Sequence, residues 1–298
     1  MKKIAIIGSI HPDGLNLLKK LKFSTFEITD FTQNNLEKKL SDVVGIILRT
    51  AEINSKIIEK CTKLKIIARH GVGYDNIDLN YLNEKKIALA VTGTANAVSV
   101  SEHVMSMFLY LTKRINQFDQ LVKKNEFAKR ESIPDFFELY QKNILIIGFG
   151  KIGQEVAKRC IGFDSKVYVY DPFIDEKSIN DKDCYKIDLD NGIKLADFVT
   201  IHIPLNNQTN NLITKKQFRI MKKNCVLINT ARGGIVNEED LFWALKNKQI
   251  YAAGLDVYEK EPPKINHPLF KLENIVLTPH NAALTLECRK RMAIEAAE

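Results

Sequence analysis

Short apolar runs alternate with amphipathic stretches along the whole chain, and this pattern constrains the fold more than any composition figure does. Residues 4–7, 43–48, 64–68 and 87–91 read as buried strands with helical segments between them, and a second series follows at 144–147, 166–170, 198–203, 225–229, 251–255 and 275–277. Strands and helices in alternation, joined by right-handed crossovers, give parallel sheets with helices on both faces. The expected fold class is therefore α/β, with two doubly wound parallel-sheet domains, one for each series. At 298 residues and 45% hydrophobic content the chain is long enough to bury both cores. Between the series, residues 98–111 are apolar at helical spacing and predict a long connecting helix that Ser99 or Ser101 would cap. Residues 116–141 are polar, contain Pro134 and show weak periodicity, which predicts a surface excursion or a subunit contact. Residues 285–298, rich in Ala, Glu and Arg, predict a terminal helix.

The second series opens on a glycine motif. Gly148-Phe149-Gly150-Lys151-Ile152-Gly153 follows strand 144–147 directly and opens a helix near Ile152, and Asp171 lies 18 residues beyond Gly153 at the end of the next strand. Alone, such a motif is weak; between a strand and a helix, with an acid at that distance, it is a dinucleotide-binding fingerprint. Gly148 permits the tight turn, Gly150 lets backbone approach a pyrophosphate, and Gly153 lets the helix pack on the strand. The helix N-terminus offers N–H groups to the phosphates. Asp171 would accept hydrogen bonds from ribose hydroxyls and repel a 2′-phosphate. Pro172 and Phe173 follow it rather than a basic residue, so NAD is expected over NADP. Gly8 and Gly14 lack the spacing and read as a plain turn.

Arg232, Glu261 and His280 each fall just past a β-branched run of this second series. In an open α/β sheet the ligand crevice lies beyond the carboxyl ends of the strands, so all three are expected on the side of the glycine motif. Hydride exchange at an alcohol carbon needs a group that handles the hydroxyl proton and a cation that holds the oxygens. His280 suits the first task because imidazole titrates near neutrality, with Glu261 to orient it. Arg232 suits the second, since a guanidinium binds a carboxylate through two parallel hydrogen bonds. Taken singly, each is as readily a turn or loop decoration; their shared placement favours function. The other histidines are weaker candidates: His202 lies in a strand and His267 in a turn, so core or turn roles are expected for these two, while His103 lies on the connecting helix and His11 before a turn.

The remaining composition narrows the classes. The net charge is +8, but the basic residues are scattered and form no nucleic-acid module, so a solvated surface and no nucleic-acid partner are expected. Five cysteines, odd in number and without a C-x-x-C pair, predict a reduced, cytoplasmic chain. The N-terminal apolar run is too short for a signal peptide and reads as a first strand, and no stretch is long enough to span a membrane. With no HExxH, paired Cys or clustered carboxylates, no metal is expected.

Ordered motifs along nearly the whole chain resemble the D-isomer-specific 2-hydroxyacid dehydrogenase family: Arg69-His70-Gly71-Val72-Gly73-Tyr74-Asp75-Asn76-Ile77-Asp78, Asn96-Ala97-Val98-Ser99-Val100-Ser101-Glu102-His103, the glycine motif, Asn229-Thr230-Ala231-Arg232-Gly233-Gly234, Gly254-Leu255-Asp256-Val257 and Thr278-Pro279-His280. The resemblance implies that Arg232, Glu261 and His280 are the catalytic residues. It implies that the backbone at Val72 and Gly73 holds a substrate carboxylate, with Arg49 and Asn96 near the substrate. Asp256 would contact the nicotinamide amide, and Lys151, Pro204, Thr209, Thr230 and Ala231 would line the cofactor groove with Ile152. It also implies that residues 1–98 with 281–298 form a flavodoxin-like substrate domain into which a Rossmann NAD-binding domain, residues 99–280, is inserted. Homodimers built around the connecting helix are usual in the family. Gly93 stands where relatives often carry Pro, Gln141-Lys142 replaces their Gly-Lys, and relatives run on beyond residue 298.

The expected activity is NAD-dependent interconversion of a D-2-hydroxy acid and its 2-oxo acid, of the 3-phosphoglycerate or the hydroxypyruvate and glyoxylate type. Arg49 and Arg69 suit a phosphorylated substrate, and a small one fits nearly as well. The rival readings are an NAD(H)-sensing protein that works by recruiting partners, as corepressor relatives do, and a formate or phosphite dehydrogenase of the same family.

Overall fold

A computed structural model describes all 298 residues. The chain divides into two compact units, 1–96 with 283–298, and 97–282. The first begins with β1 (Lys3–Ile7), α1 (Pro12–Lys20), β2 (Ser24–Ile28), α2 (Gln33–Leu40), β3 (Gly45–Leu48), α3 (Ser55–Lys60), β4 (Ile66–Arg69), α4 (Leu79–Glu84) and β5 (Ala88–Val91). All five strands are parallel in the order β2-β1-β3-β4-β5, the flavodoxin-like arrangement. Successive strand residues face opposite sides. Ala5, Ile7, Ile46, Leu48 and Ile67 accordingly meet Leu36, Leu40, Ile57 and Ile58 of α2 and α3, while Ile6, Ile47 and Ala68 face the other way onto Leu18 of α1.

The second unit carries α5 (Ala97–Lys113), α6 (Ile115–Lys123), β6 (Asn143–Ile147), α7 (Lys151–Ile161), β7 (Lys166–Tyr170), α8 (Glu176–Asn180), β8 (Tyr185–Lys186), α9 (Leu189–Leu195), β9 (Phe198–Ile201), α10 (Lys215–Ile220), β10 (Val226–Asn229), α11 (Glu238–Lys246), β11 (Ala252–Leu255) and β12 (Ile275–Leu277). The chain then returns to the first unit as α12 (Leu286–Ala297), whose N-cap Thr285 accepts from Cys288 N and which packs on α1. The seven parallel strands run β12-β11-β10-β9-β6-β7-β8, so the order reverses between β6 and β9. A doubly wound sheet presents its ligand crevice at that reversal. One face of the sheet buries Leu145, Ile147, Val199, Leu227 and Leu255 under α9, α10 and α11. The other buries Ile144, Ile146, Val169 and Ile228 under α5 and α7, where Phe108 meets Phe198 edge-on with ring centroids 5.0 Å apart.

Several local expectations need correction. Neither Ser99 nor Ser101 caps α5: both lie inside the helix, where Ser99 Oγ donates to Ala282 O and Ser101 Oγ to Val98 O. Residues 116–141 include most of α6, a helix with no buried residue, and a 3-10 turn at Phe127–Ser132. Strands β2 and β8 were not expected, since Ser24–Ile28 is only partly buried and Tyr185–Lys186 is exposed. The compact units divide at 96–97 and 282–283, within two residues of the domain bounds expected from the sequence. No helix is long and apolar enough to cross a membrane.

Candidate active site

At the end of β6, Gly148 adopts φ +95°, in the left-handed region that favours glycine, and a Cβ there would lie 2.6 Å from His202 O. The loop that follows is tied to β7: Gly148 N donates to Tyr170 O, and Phe149 N donates to Asp171 Oδ2 at 2.9 Å. Asp171 Oδ1 accepts from Phe173 N, also at 2.9 Å. This acid therefore anchors the loop, and a carboxylate has lone pairs left for ribose hydroxyls. Gly150 caps α7, which starts at Lys151, one residue before the start read from the sequence. Nothing lies within 4 Å of a Cβ placed on Gly150. The open space over a helix N-terminus is the cradle a pyrophosphate needs. Thr230, 8% exposed, keeps its buried Oγ1 without a hydrogen-bond partner, a second sign that a polar ligand completes this edge. Thr209 Oγ1 donates to Pro204 O at 2.6 Å and fixes the turn beyond β9. Half-buried Ile152 packs on the α5–α7 side of the core, and Lys151 stays exposed. These residues fit a dinucleotide.

Arg232 is displayed by the turn after β10. Asn229, 1% exposed, pins that turn at both ends, its Oδ1 accepting from Ala231 N at 3.0 Å and its Nδ2 donating to Arg232 O at 2.8 Å. The next residue allows no alternative: a Cβ on Gly233 would collide with the Tyr258 carbonyl. The Arg232 turn therefore presses against the loop after β11 that carries Glu261. Within that loop Glu261 Oε1 accepts from Tyr258 N at 3.1 Å, and Oε2 lies 2.8 Å from His280 Nδ1. Burial pushes the Glu261 carboxyl pKa up, but the hydrogen bond and charge of His280, the Tyr258 amide and the Arg232 charge outweigh it and hold it below the ordinary carboxylate value. An ionised carboxylate only accepts, so His280 Nδ1 carries the donated hydrogen and Nε2 is left to exchange a proton with a ligand. His280 sits at φ +51°, uncommon for a residue with a side chain and concentrated at functional sites. The structure thus brings Arg232, Glu261 and His280 together within the larger unit.

Asp256, expected against the nicotinamide amide, is held within the protein by its own hydrogen bonds. It is 0% exposed, and its oxygens accept from Thr278 Oγ1 at 2.6 Å, Asn281 N at 2.9 Å and Ala282 N at 3.0 Å. Its visible work is to hold the turn that displays His280. Sequence reasoning overlooked this, as it overlooked Asn229, because both act on backbone groups that no local pattern marks. The other histidines are occupied structurally. His202 meets Thr200 Oγ1 at 2.9 Å and burial pushes its pKa down to about 3, His267 Nε2 lies 3.0 Å from Glu238 Oε2, and His11 caps α1.

In the smaller unit, Arg49 and Arg69 stand at the carboxyl ends of the neighbouring strands β3 and β4. Arg69 Nη1 donates to His70 O at 2.7 Å, and Gly71 N donates to Thr92 Oγ1 at 2.9 Å, which shapes the turn before the accessible Val72 and Gly73. His70 is pushed down to about 4, by burial first and then by the Arg49 and Arg69 charges. Asn96 keeps a buried Oδ1 without a partner. No three His, Cys, Asp or Glu side chains gather as metal ligands do.

Residues 105–282 match the pattern of the NAD binding domain of D-isomer specific 2-hydroxyacid dehydrogenases, which is the unit that holds the glycine loop and the trio. The chain belongs to that family. It is 37% identical over 301 residues to the D-3-phosphoglycerate dehydrogenase of Methanocaldococcus jannaschii, covering 100% of this chain and 56% of that one. It is 39% identical over 269 residues to the hydroxypyruvate reductase of Thermotoga maritima, covering 89% of this chain and 86% of that one. The chain thus spans little more than half the length of the first relative and most of the second. Among solved structures, D-lactate dehydrogenase from Aquifex aeolicus, complexed with NAD and lactic acid, superposes with a TM-score of 0.88 at 28% identity, over 99% of this chain and 93% of that one.

Proposed function

We propose that the protein is an NAD-dependent dehydrogenase that interconverts a D-2-hydroxy acid and its 2-oxo acid. The observation that carries this is the 2.8 Å contact between His280 Nδ1 and Glu261 Oε2 beside Arg232, in the domain that holds the dinucleotide cradle. Gly150 with the α7 N-terminus would hold the pyrophosphate of NAD, on a turn that Gly148 and Gly153 make possible, with Asp171 at the ribose and Lys151, Ile152, Pro204, Thr209, Thr230, Ala231 and Asp256 along the rest of the groove. Bound NADH supplies a hydride to the oxo carbon. Arg232 grips the substrate oxygens through its planar fork, and His280 Nε2–H hands its proton to the oxygen as it gains charge. Glu261 keeps that ring oriented and stabilises its protonated form. Within the smaller unit, the Val72 and Gly73 amides and Asn96 are the groups that the family resemblance implies for binding a carboxylate.

The substrates this reading favours are of the 3-phosphoglycerate or the hydroxypyruvate and glyoxylate type, which the names of the relatives support. Arg49 and Arg69 favour a phosphorylated acid, because two guanidinium groups at adjacent strand ends suit a dianion. The reading includes a cytoplasmic homodimer, supported by five buried free cysteines and by the exposed apolar residues around α6. The test is NADH oxidation by the purified chain with phosphohydroxypyruvate, hydroxypyruvate, glyoxylate and pyruvate, with NADPH in parallel. Turnover with one oxo acid and a preference for NADH are expected. NADH binding without turnover of any would overturn the proposal in favour of a cofactor sensor, and oxidation of formate or phosphite with NAD would reassign the substrate.

A further inference from the structure

The turn that displays His280 is gripped from two directions. From the end of β11, enclosed Asp256 accepts from Thr278 Oγ1, Asn281 N and Ala282 N at 2.6, 2.9 and 3.0 Å. From α5, Ser99 Oγ donates to Ala282 O at 2.6 Å, and His103 Nε2 lies 3.1 Å from Thr278 Oγ1 and 3.8 Å from Asp256 Oδ1. Ser99 and His103 are four residues apart, so they stand one above the other on one helix face. They reach residues on either side of His280. The direction of each bond follows from the chemistry: the Thr278 hydroxyl has one hydrogen, and the Asp256 carboxylate beside it only accepts. That hydrogen goes to Asp256, and His103 must donate from Nε2.

We infer that Ser99 and His103 are positioning residues for His280, clamping both ends of its turn so that the ring stays against Glu261. The inference rests on the dehydrogenase reading above. His280 sits at φ +51°, and these two bonds together with the Asp256 cage fix the chain on either side of it. The sequence places His103 on the connecting helix and offers Ser99 or Ser101 as its cap; neither reading explains why both polar groups face the same turn. Placement matters because a displacement of about 1 Å at a catalytic group can cost roughly 100-fold in rate.

The test compares H103L, H103Q and S99A in the full chain, by steady-state kinetics, NADH titration and amide hydrogen exchange. H103L should lower kcat about 10- to 100-fold while KM and the NADH Kd stay within about twofold, and it should speed exchange at Asn281 and Ala282. H103Q, which keeps an N–H donor, should recover most of both; S99A should speed exchange at Ala282 with a smaller loss of kcat. Wild-type exchange and kcat in H103L would overturn the inference, as would an H103Q variant as impaired as H103L. So would faster exchange spread equally through β10, which would mark a general loosening of the fold. If the wild type reduces no oxo acid, the dehydrogenase reading fails, and the exchange at Asn281 and Ala282 still decides the clamp.

Discussion

The proton chemistry assigned to His280 depends on the charge behind it as well as on the hydrogen bond. E261Q separates the two, because an amide carbonyl can still accept from Nδ1 but carries no charge. The expected result is a fall in kcat of about 10- to 100-fold with NADH affinity unchanged, read by steady-state kinetics and a fluorescence titration. An unchanged kcat would show that orientation alone suffices. That Arg232, Glu261 and His280 gather was legible in the sequence because residues just past successive strand ends share one edge of an open α/β sheet. Asn229 and Asp256 were not legible as turn anchors. Asn229 binds the backbone of Ala231 and Arg232, and Asp256 binds amides 25 and 26 residues away, contacts that exist only after folding.

Elements of this fold are fastened by a few buried polar groups, and Asp197 is the clearest. Its carboxylate accepts from Asn143 N at 3.0 Å, Lys222 Nζ at 2.8 Å and Asn224 Nδ2 at 3.3 Å, joining the start of β6 to the turn before β10. Burial alone would raise its pKa, but Lys222, the Asn143 amide and Asn224 hold it below the ordinary 3.8. A depressed folded pKa adds stability that is present above the unfolded value and disappears as pH falls through the folded one. D197N should therefore cost about 1–3 kcal/mol at pH 7 in denaturant melts, and the deficit should shrink below about pH 4. A deficit independent of pH would contradict the assignment. Most strands were readable because central parallel strands are apolar without interruption, as 144–147 and 226–228 are. Edge strands β2 and β8 lack that signature, being half-covered or exposed. Helix α6 was legible and overlooked: Ile115, Phe118, Leu121 and Val122 recur at helical spacing, although none of them is fully buried.

At the scale of the whole molecule, the exposed side chains around α6 bear on assembly. Ile115 and Val122, seven residues apart and therefore on one face, are 53% and 62% exposed, and Phe127 is 62% exposed. If this face is covered in a homodimer, light scattering should give twice the 34.0 kDa chain mass, and V122E should shift the population toward monomer. A wild-type monomer would remove the dimer from the account. The family membership explains why the cofactor was readable while the substrate was not: in the proposed reading the glycine loop and trio would serve a whole class of acids, and residues such as Arg49 and Arg69 would choose among them. The central claim is that His280 moves the proton while NADH is oxidised. It is tested most directly by single-turnover oxidation of bound NADH with the preferred oxo acid, in the wild type and in H280N. The rate should fall about 10²- to 10⁴-fold in H280N with NADH affinity held within about twofold. A rate equal to the wild type's would contradict the claim and require another proton donor.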